Sequence, residues 1–115
     1  MTQITEARKG NSTPEMEAVA RAEGVGLDHI VDGVANGAIV ITRNAKHTSI
    51  TPLGIGKGLR TKVNANIGTS KDRMSIDDEI EKLKVAVAAG ADAVMDLSTG
   101  GPIVEIRKEI LKHST

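Results

Sequence analysis

After residue 62 the chain repeats one pattern, strand then helix, twice over, and few folds accept that pattern. Residues 63–67 (VNANI) alternate Val63, Ala65 and Ile67 with Asn64 and Asn66, the period of a strand with two unlike faces. A helix is predicted over residues 75–89. Ile76, Ile80, Leu83 and Val87 recur there at helical spacing, and Gly90 stands where a helix stops. Residues 92–97 (DAVMDL) read as the next strand. The turn STGGP then leads into a helix with Ile103, Ile106 and Ile110 on one face and Pro102 suited to its first turn. Successive βα units of this kind build parallel sheets with right-handed crossovers. A parallel sheet needs both faces covered, and two units supply too few layers. Residues 62–115 therefore read as the opening of a longer barrel or open sheet, cut after its second helix.

The strand VNANI raises a chemical question. Asn is depleted in strands, and a buried amide must satisfy its donors and its acceptor. Two Asn on one face imply that this face meets something polar.

Residues 1–61 read as a separate N-terminal α+β segment. Residues 1–11 are expected to form an extended arm. A helix follows Thr13, with Thr13 as N-cap, Pro14 in the first helical position, Gly24 as the stop, and Met16, Val19 and Ala20 as its apolar stripe. A second short helix runs from about Asp28 to near Gly37 with Leu27, Ile30, Val31 and Val34. Residues 37–42 (GAIVIT) form a β-branched strand. Residues 43–61, with Pro52, Gly54, Gly56 and Gly58, read as a loop or set of turns.

Composition narrows the function classes. The chain has no Phe, Tyr or Trp, so any core is aliphatic and thin, because aromatics bury the most area per residue. It has no cysteine, which excludes disulfides, thiolate metal sites and a cysteine nucleophile within these residues. Fifteen basic and fifteen acidic residues balance to zero net charge, so nothing electrostatic points to nucleic acid or an anionic membrane. No apolar run approaches the roughly 20 residues of a membrane span, and the polar start MTQITEARKG is unlike a signal peptide. A cytoplasmic protein is expected.

In parallel α/β folds ligands meet the C-terminal ends of strands. Asn66 and Met95 lie there, with Asp96, Ser98 and Thr99 following. Asn66 can hydrogen-bond a heterocycle or sugar, or it can tie its strand to the next loop. Met95 can contact a ligand or fill the core. The STGG turn (residues 98–101) can present backbone amides to an anion or make an ordinary tight turn. GIGKG (residues 54–58) lacks the phosphate-loop pattern and precedes a strand rather than following one. It reads as a connector, with Lys57, Arg60 and Lys62 able to touch a ligand or another subunit. His29, His47 and His113 have no metal-ligand spacing. Asp77, Asp78 and Glu79 open a helix and complement its dipole. No catalytic residue and no metal ligand is assigned.

Three stretches together, MTQITEARKG, GIGKGLRTKVNANIGTS and AGADAVMDLSTGG, resemble the start of the phosphomethylpyrimidine synthase family of thiamine biosynthesis. The similarity covers nearly the whole chain. Departures are slight: Pro102, Ile103 and Val104 stand where a more acidic stretch is expected, and Thr42 where the family often has Pro. The resemblance implies an α/β fold, a small N-terminal segment (1–61) followed by the first two βα units of a (β/α)8 TIM-type barrel (62–115), truncated. It implies a radical S-adenosylmethionine lyase that converts 5-aminoimidazole ribotide to 4-amino-5-hydroxymethyl-2-methylpyrimidine phosphate, releasing formate and CO. Asn66 and Met95 carry over as substrate-binding residues. A [4Fe-4S] cluster, S-adenosylmethionine and zinc belong to the full-length family, and none is expected to be bound by the residues present here. The small molecule is the expected partner, with no nucleic acid and no membrane, and a homo-oligomer is expected. The 115 residues alone are expected to be inactive. The alternative is a truncated non-catalytic protein acting through self-association or a complementary partner; an independent nucleotide-binding module is a third reading.

Overall fold

The computed structural model describes residues 2–114, which fold into five helices and two two-stranded sheets. Met1 and Thr115 lie outside the described residues. No closed barrel is present among them. The chain divides into two compact units between Thr61 and Lys62.

The first unit contains α1 (Gln3–Ala7), α2 (Pro14–Glu23), α3 (Leu27–Ala35), β1 (Ile39–Thr42) and β2 (Leu53–Gly56). The start of α2 is set locally. The Thr13 hydroxyl accepts from the Met16 amide, Pro14 occupies the first turn, and Gly24 closes the helix in the left-handed conformation at φ 68°. Met16, Val19 and Ala20 are all buried, and they share a core with Ala7, Ile30, Val34 and Ile39.

Two expectations for this unit fail. Residues 1–11 are not simply an extended arm, because Gln3–Ala7 is helical. The Thr2 side chain caps it by accepting from the Thr5 amide, and Ala7 is buried in the core with Ile4 packed against it. One turn of helix is held by that burial, since so short a helix has little stability of its own. Residues 43–61 are not all loop either. Leu53–Gly56 pairs antiparallel with β1, Ile39 opposite Gly56 and Ile41 opposite Gly54. The glycines are what let it pair there. A Cβ at Gly54 would stand 2.4 Å from Val19, and one at Gly56 would stand 2.2 Å from the Ala38 carbonyl oxygen. Strand glycine here marks close approach rather than a break.

The second unit is β3 (Asn64–Ile67), α4 (Ile76–Ala88), β4 (Ala93–Asp96) and α5 (Ile103–His113). β3 and β4 are parallel neighbours, with Ala65 beside Val94 and Asn66 beside Met95. Ser75 caps α4 by accepting from the Asp78 amide. Leu83 of α4 and Ile106 and Ile110 of α5 pack with Ile67, joined by Ile76, Ile80 and Val94. Both helices thus cover the Ala65, Ile67 and Val94 face, and the face with Asn64, Asn66, Ala93 and Met95 stays exposed. Val87 was expected on the apolar stripe, but it is exposed, just off the Leu83 face. Asp77, Asp78 and Glu79 stand in the first turn of α4, and Glu79 is buried there, because its position falls on the inward stripe between Ile76 and Leu83. Among the described residues no helix is long and apolar enough to cross a membrane.

Candidate functional site

The open face of the β3–β4 pair is built by period and register. Alternation along β3 turns both Asn outward, and parallel pairing sets Asn66 against Met95. Asn64 Nδ2 donates to Asn66 Oδ1 at 2.9 Å. This fixes the plane of the Asn66 amide and leaves its own NH2 without a partner among the described residues. Met95 is half exposed beside it. The result is an amide donor and a flexible, polarisable thioether side by side. Asn66 also borders a groove of about 470 Å³ along β3 and α4, lined further by Arg73, Asp78, Lys82 and Val85. Arg73 donates to Asp78 at 2.9 Å.

The turns that follow the strands are bound to each other. Thr69 and Ser98 are both buried. The Thr69 amide donates to Ser98 Oγ at 3.1 Å, and Thr69 Oγ1 donates to the Gly100 carbonyl at 2.6 Å. The Thr99 amide and hydroxyl both donate to the Thr69 carbonyl. Ser98 Oγ and its amide donate to Asp96 Oδ1, and Arg107 Nε donates to Asp96 Oδ2 at 3.2 Å. Burial works to raise the Asp96 pKa, but the Ser98 hydroxyl, the Ser98 amide and the Arg107 guanidinium outweigh it, so the carboxyl sits below its ordinary range. The Ser98 and Thr99 hydroxyls of the STGG turn are therefore already committed to the neighbouring turn. The two turns also touch closely: a Cβ at Gly100 would stand 2.3 Å from the Ser70 carbonyl oxygen, and one at Gly68 2.6 Å from the Leu97 carbonyl carbon. Beneath them Lys82 donates to buried Glu79 and, at 3.3 Å, to the Gly68 carbonyl. Among the described residues Glu79 Oε2 has no hydrogen-bond partner.

The remaining sequence candidates are dispersed. His29 Nε2 donates to the Lys57 carbonyl at 3.1 Å, which holds the turn after β2. His113 Nδ1 lies against the Glu109 carbonyl in its own helix. Among the described residues no group of three or more His, Cys, Asp and Glu side chains can hold a metal ion. In the first unit a cleft of about 570 Å³ is lined by Gln3, Glu6, Thr13, Glu15, Ile41 and Arg43, among others. Its polar groups pair with one another, Gln3 and Arg43 on the Glu15 carboxylate and Thr13 on Gln3. The Glu15 carboxyl is held below its ordinary range by the Gln3 hydrogen bond, its own backbone amide and Arg43, against the opposing effect of burial.

Sequence reasoning missed the Thr69–Ser98 network and the burial of Glu79. The signal for Glu79 was present in its spacing from Ile76 and Leu83. Thr69 offered none beyond its place after the strand.

The Radical SAM ThiC family model matches residues 2–115. The chain is 58% identical over 115 residues to the phosphomethylpyrimidine synthase of Thermodesulfovibrio yellowstonii, covering all of this chain and 27% of that protein. It is 54% identical to the synthase of Syntrophus aciditrophicus and 55% identical to that of Desulforamulus reducens, again over 115 residues and 27% of each relative. The chain thus spans about a quarter of the length of the curated relatives it matches.

Proposed function

The chain belongs to the Radical SAM ThiC family, and from that premise we propose that it is the N-terminal portion of a phosphomethylpyrimidine synthase of the cytoplasm. In this reading residues 62–115 are the first two βα units of a (β/α)8 barrel, and residues 1–61 are the small segment before it. The whole protein converts 5-aminoimidazole ribotide to the hydroxymethylpyrimidine phosphate of thiamine, with formate and CO as the other products. One observation carries the reading at the level of residues: Asn66 and Met95 are neighbours in register on the exposed face of a parallel pair. Both helices lie on the opposite face, as the outer ring of a barrel would. The Asn66 NH2 donates to an acceptor on the heterocycle or sugar, and the Met95 thioether packs against the ring.

Radical chemistry with S-adenosylmethionine calls for an iron–sulfur cluster, and cluster ligation takes thiolates. These residues include no cysteine, and no zinc-binding set comes together among the described ones. The residues present do not fit either metal group. This chain's part in the reaction is to bind and orient the substrate, and the 115 residues alone give no turnover.

The test is a chimera in which residues 2–115 replace the matching quarter of the Thermodesulfovibrio yellowstonii synthase. It is expected to make product, and Asn66→Ala is expected to lower kcat/KM about tenfold, the worth of about 1.4 kcal/mol in one hydrogen bond. Product from the isolated 115-residue chain would refute the claim of inactivity. Unchanged kinetics in Asn66→Ala would remove Asn66 from the site.

A second reading rests on a different observation. Among the described residues each strand of the β3–β4 pair has one neighbour, and Val63 and Leu97 are exposed at its ends. Open edges of this kind invite pairing, so a homo-oligomer or a complementary partner is the alternative. A monomer by sedimentation at micromolar concentration counts against it.

A further inference from the structure

We infer that Thr69 is a positioning residue for ligand binding at Asn66 and Met95, acting through the clasp that joins the two turns after β3 and β4. The inference rests on the reading that these two side chains hold the substrate. Asn66 and Met95 are useful as a pair only while their strands keep register. Parallel pairing over four residues is a short ladder to fix register by itself, and a slip of one residue sends side chains to the opposite face. The clasp begins at once beyond the pair. Asp96 follows Met95 directly, and Thr69 stands three positions after Asn66.

Thr69 is the hub, because each of its polar groups reaches the other turn. Its amide donates to Ser98 Oγ, its hydroxyl donates to the Gly100 carbonyl, and its carbonyl accepts from the Thr99 amide and hydroxyl. Ser98 in turn is held by Asp96, and Asp96 by Arg107 of α5. The hub is 4% exposed, so water cannot replace a bond that is lost, and the Gly100 carbonyl would be left unpaired. Close contact of Gly68 with Leu97 and of Gly100 with Ser70 leaves no room for the turns to settle elsewhere. Thr69 does not face the ligand. It holds the strand ends that carry the side chains that do.

The test pairs Thr69→Val, which keeps the shape and removes the hydroxyl, with Thr69→Ser, which keeps the hydroxyl. The first readout is NMR of the 115-residue chain. In Thr69→Val the Met95 methyl and Asn66 side-chain amide signals are expected to shift and broaden, while Met16, buried in the other unit, stays put. Thr69→Ser is expected to restore both. The second readout is kinetics of the chimera. In Thr69→Val kcat/KM is expected to fall about tenfold with KM rising, since small misplacement is costly; Thr69→Ser is expected to return to within about threefold. A purely structural loss would lower the folded fraction and hence apparent kcat, with KM unchanged. Unmoved Met95 and Asn66 signals, an unchanged KM, or equal damage from Val and Ser overturns the inference. An unsubstituted chimera without activity overturns the functional reading instead, and the NMR arm still decides whether Thr69 positions the pair.

Discussion

The two sheets of this protein are the same size and are built for opposite purposes. β1–β2 is antiparallel and turns Gly54 toward α2, so that Val19 packs where the Gly54 side chain would have been. Its outward face carries Val40 and Ile55, cross-strand neighbours that are both exposed and both apolar. β3–β4 is parallel and turns Ile67 and Val94 toward its helices. Its outward face carries two amides and a thioether. The first sheet spends its glycines on close approach, Gly54 to α2 and Gly56 to the backbone at Ala38. The second has its special residues on the exposed side, where they do nothing for packing. Residues that contribute little to stability and sit together in register are the ones a ligand would use.

The contrast can be broken most sharply at the cores. Leu83→Ala removes a fully buried side chain of the second unit and is expected to cost about 2–5 kcal/mol. Hydrogen exchange should report the loss of protection at Ile67 and Ile106. If those amides keep their protection, α4 does not hold the β3–β4 sheet. Next is Gly56→Ala, where the new Cβ meets the Ala38 carbonyl oxygen at φ 150°. It is expected to cost about 1–3 kcal/mol, measured by urea melts. A neutral result would mean that glycine is not what allows β2 to pair. On the open face, Asn64→Ala and Asn66→Ala are expected to change stability by about 0.5 kcal/mol or less while Asn66→Ala impairs the chimera. A large stability loss would make the amides structural and end the contrast.

The pH dependence follows from Asp96. Its folded pKa lies below the ordinary value of 3.8, so ionised Asp96 stabilises the fold above that value. This contribution falls away as pH drops from there through the folded pKa. The Thr99 amide, bonded to the Thr69 carbonyl across the clasp, should lose protection in acid relative to an unstructured chain at the same pH, and Asp96→Asn should abolish that pH dependence. The smallest effect is expected at the exposed Lys112–Glu109 pair of α5, 3.7 Å apart. Lys112→Ala should cost about 0.5 kcal/mol or less.

Much of the second unit was legible because its periods are long and its punctuation is local. Ser75, Gly90 and the isoleucines of α5 mark their elements without help from tertiary structure. Thr13, Pro14 and Gly24 do the same for α2. What was not legible depended on contacts far along the chain. The helix α1 is too short to show a period and exists because Ala7 is buried. The strand β2 looks like a loop because its glycines carry meaning only against Val19 and Ala38. Asn66 and Met95 could be named from the chain, but their juxtaposition is a matter of register. That register is tied by Thr69 and Ser98, which are 29 residues apart.

In the proposed function Asn66 and Met95 together face the ribotide. The most direct measurement is a titration of the methionine-methyl-labelled chimera with 5-aminoimidazole ribotide, followed by NMR. A saturable shift of the Met95 methyl is expected, lost in Asn66→Ala, with the Met16 methyl unmoved. Turnover of the ribotide with the Met95 methyl unmoved would contradict that role.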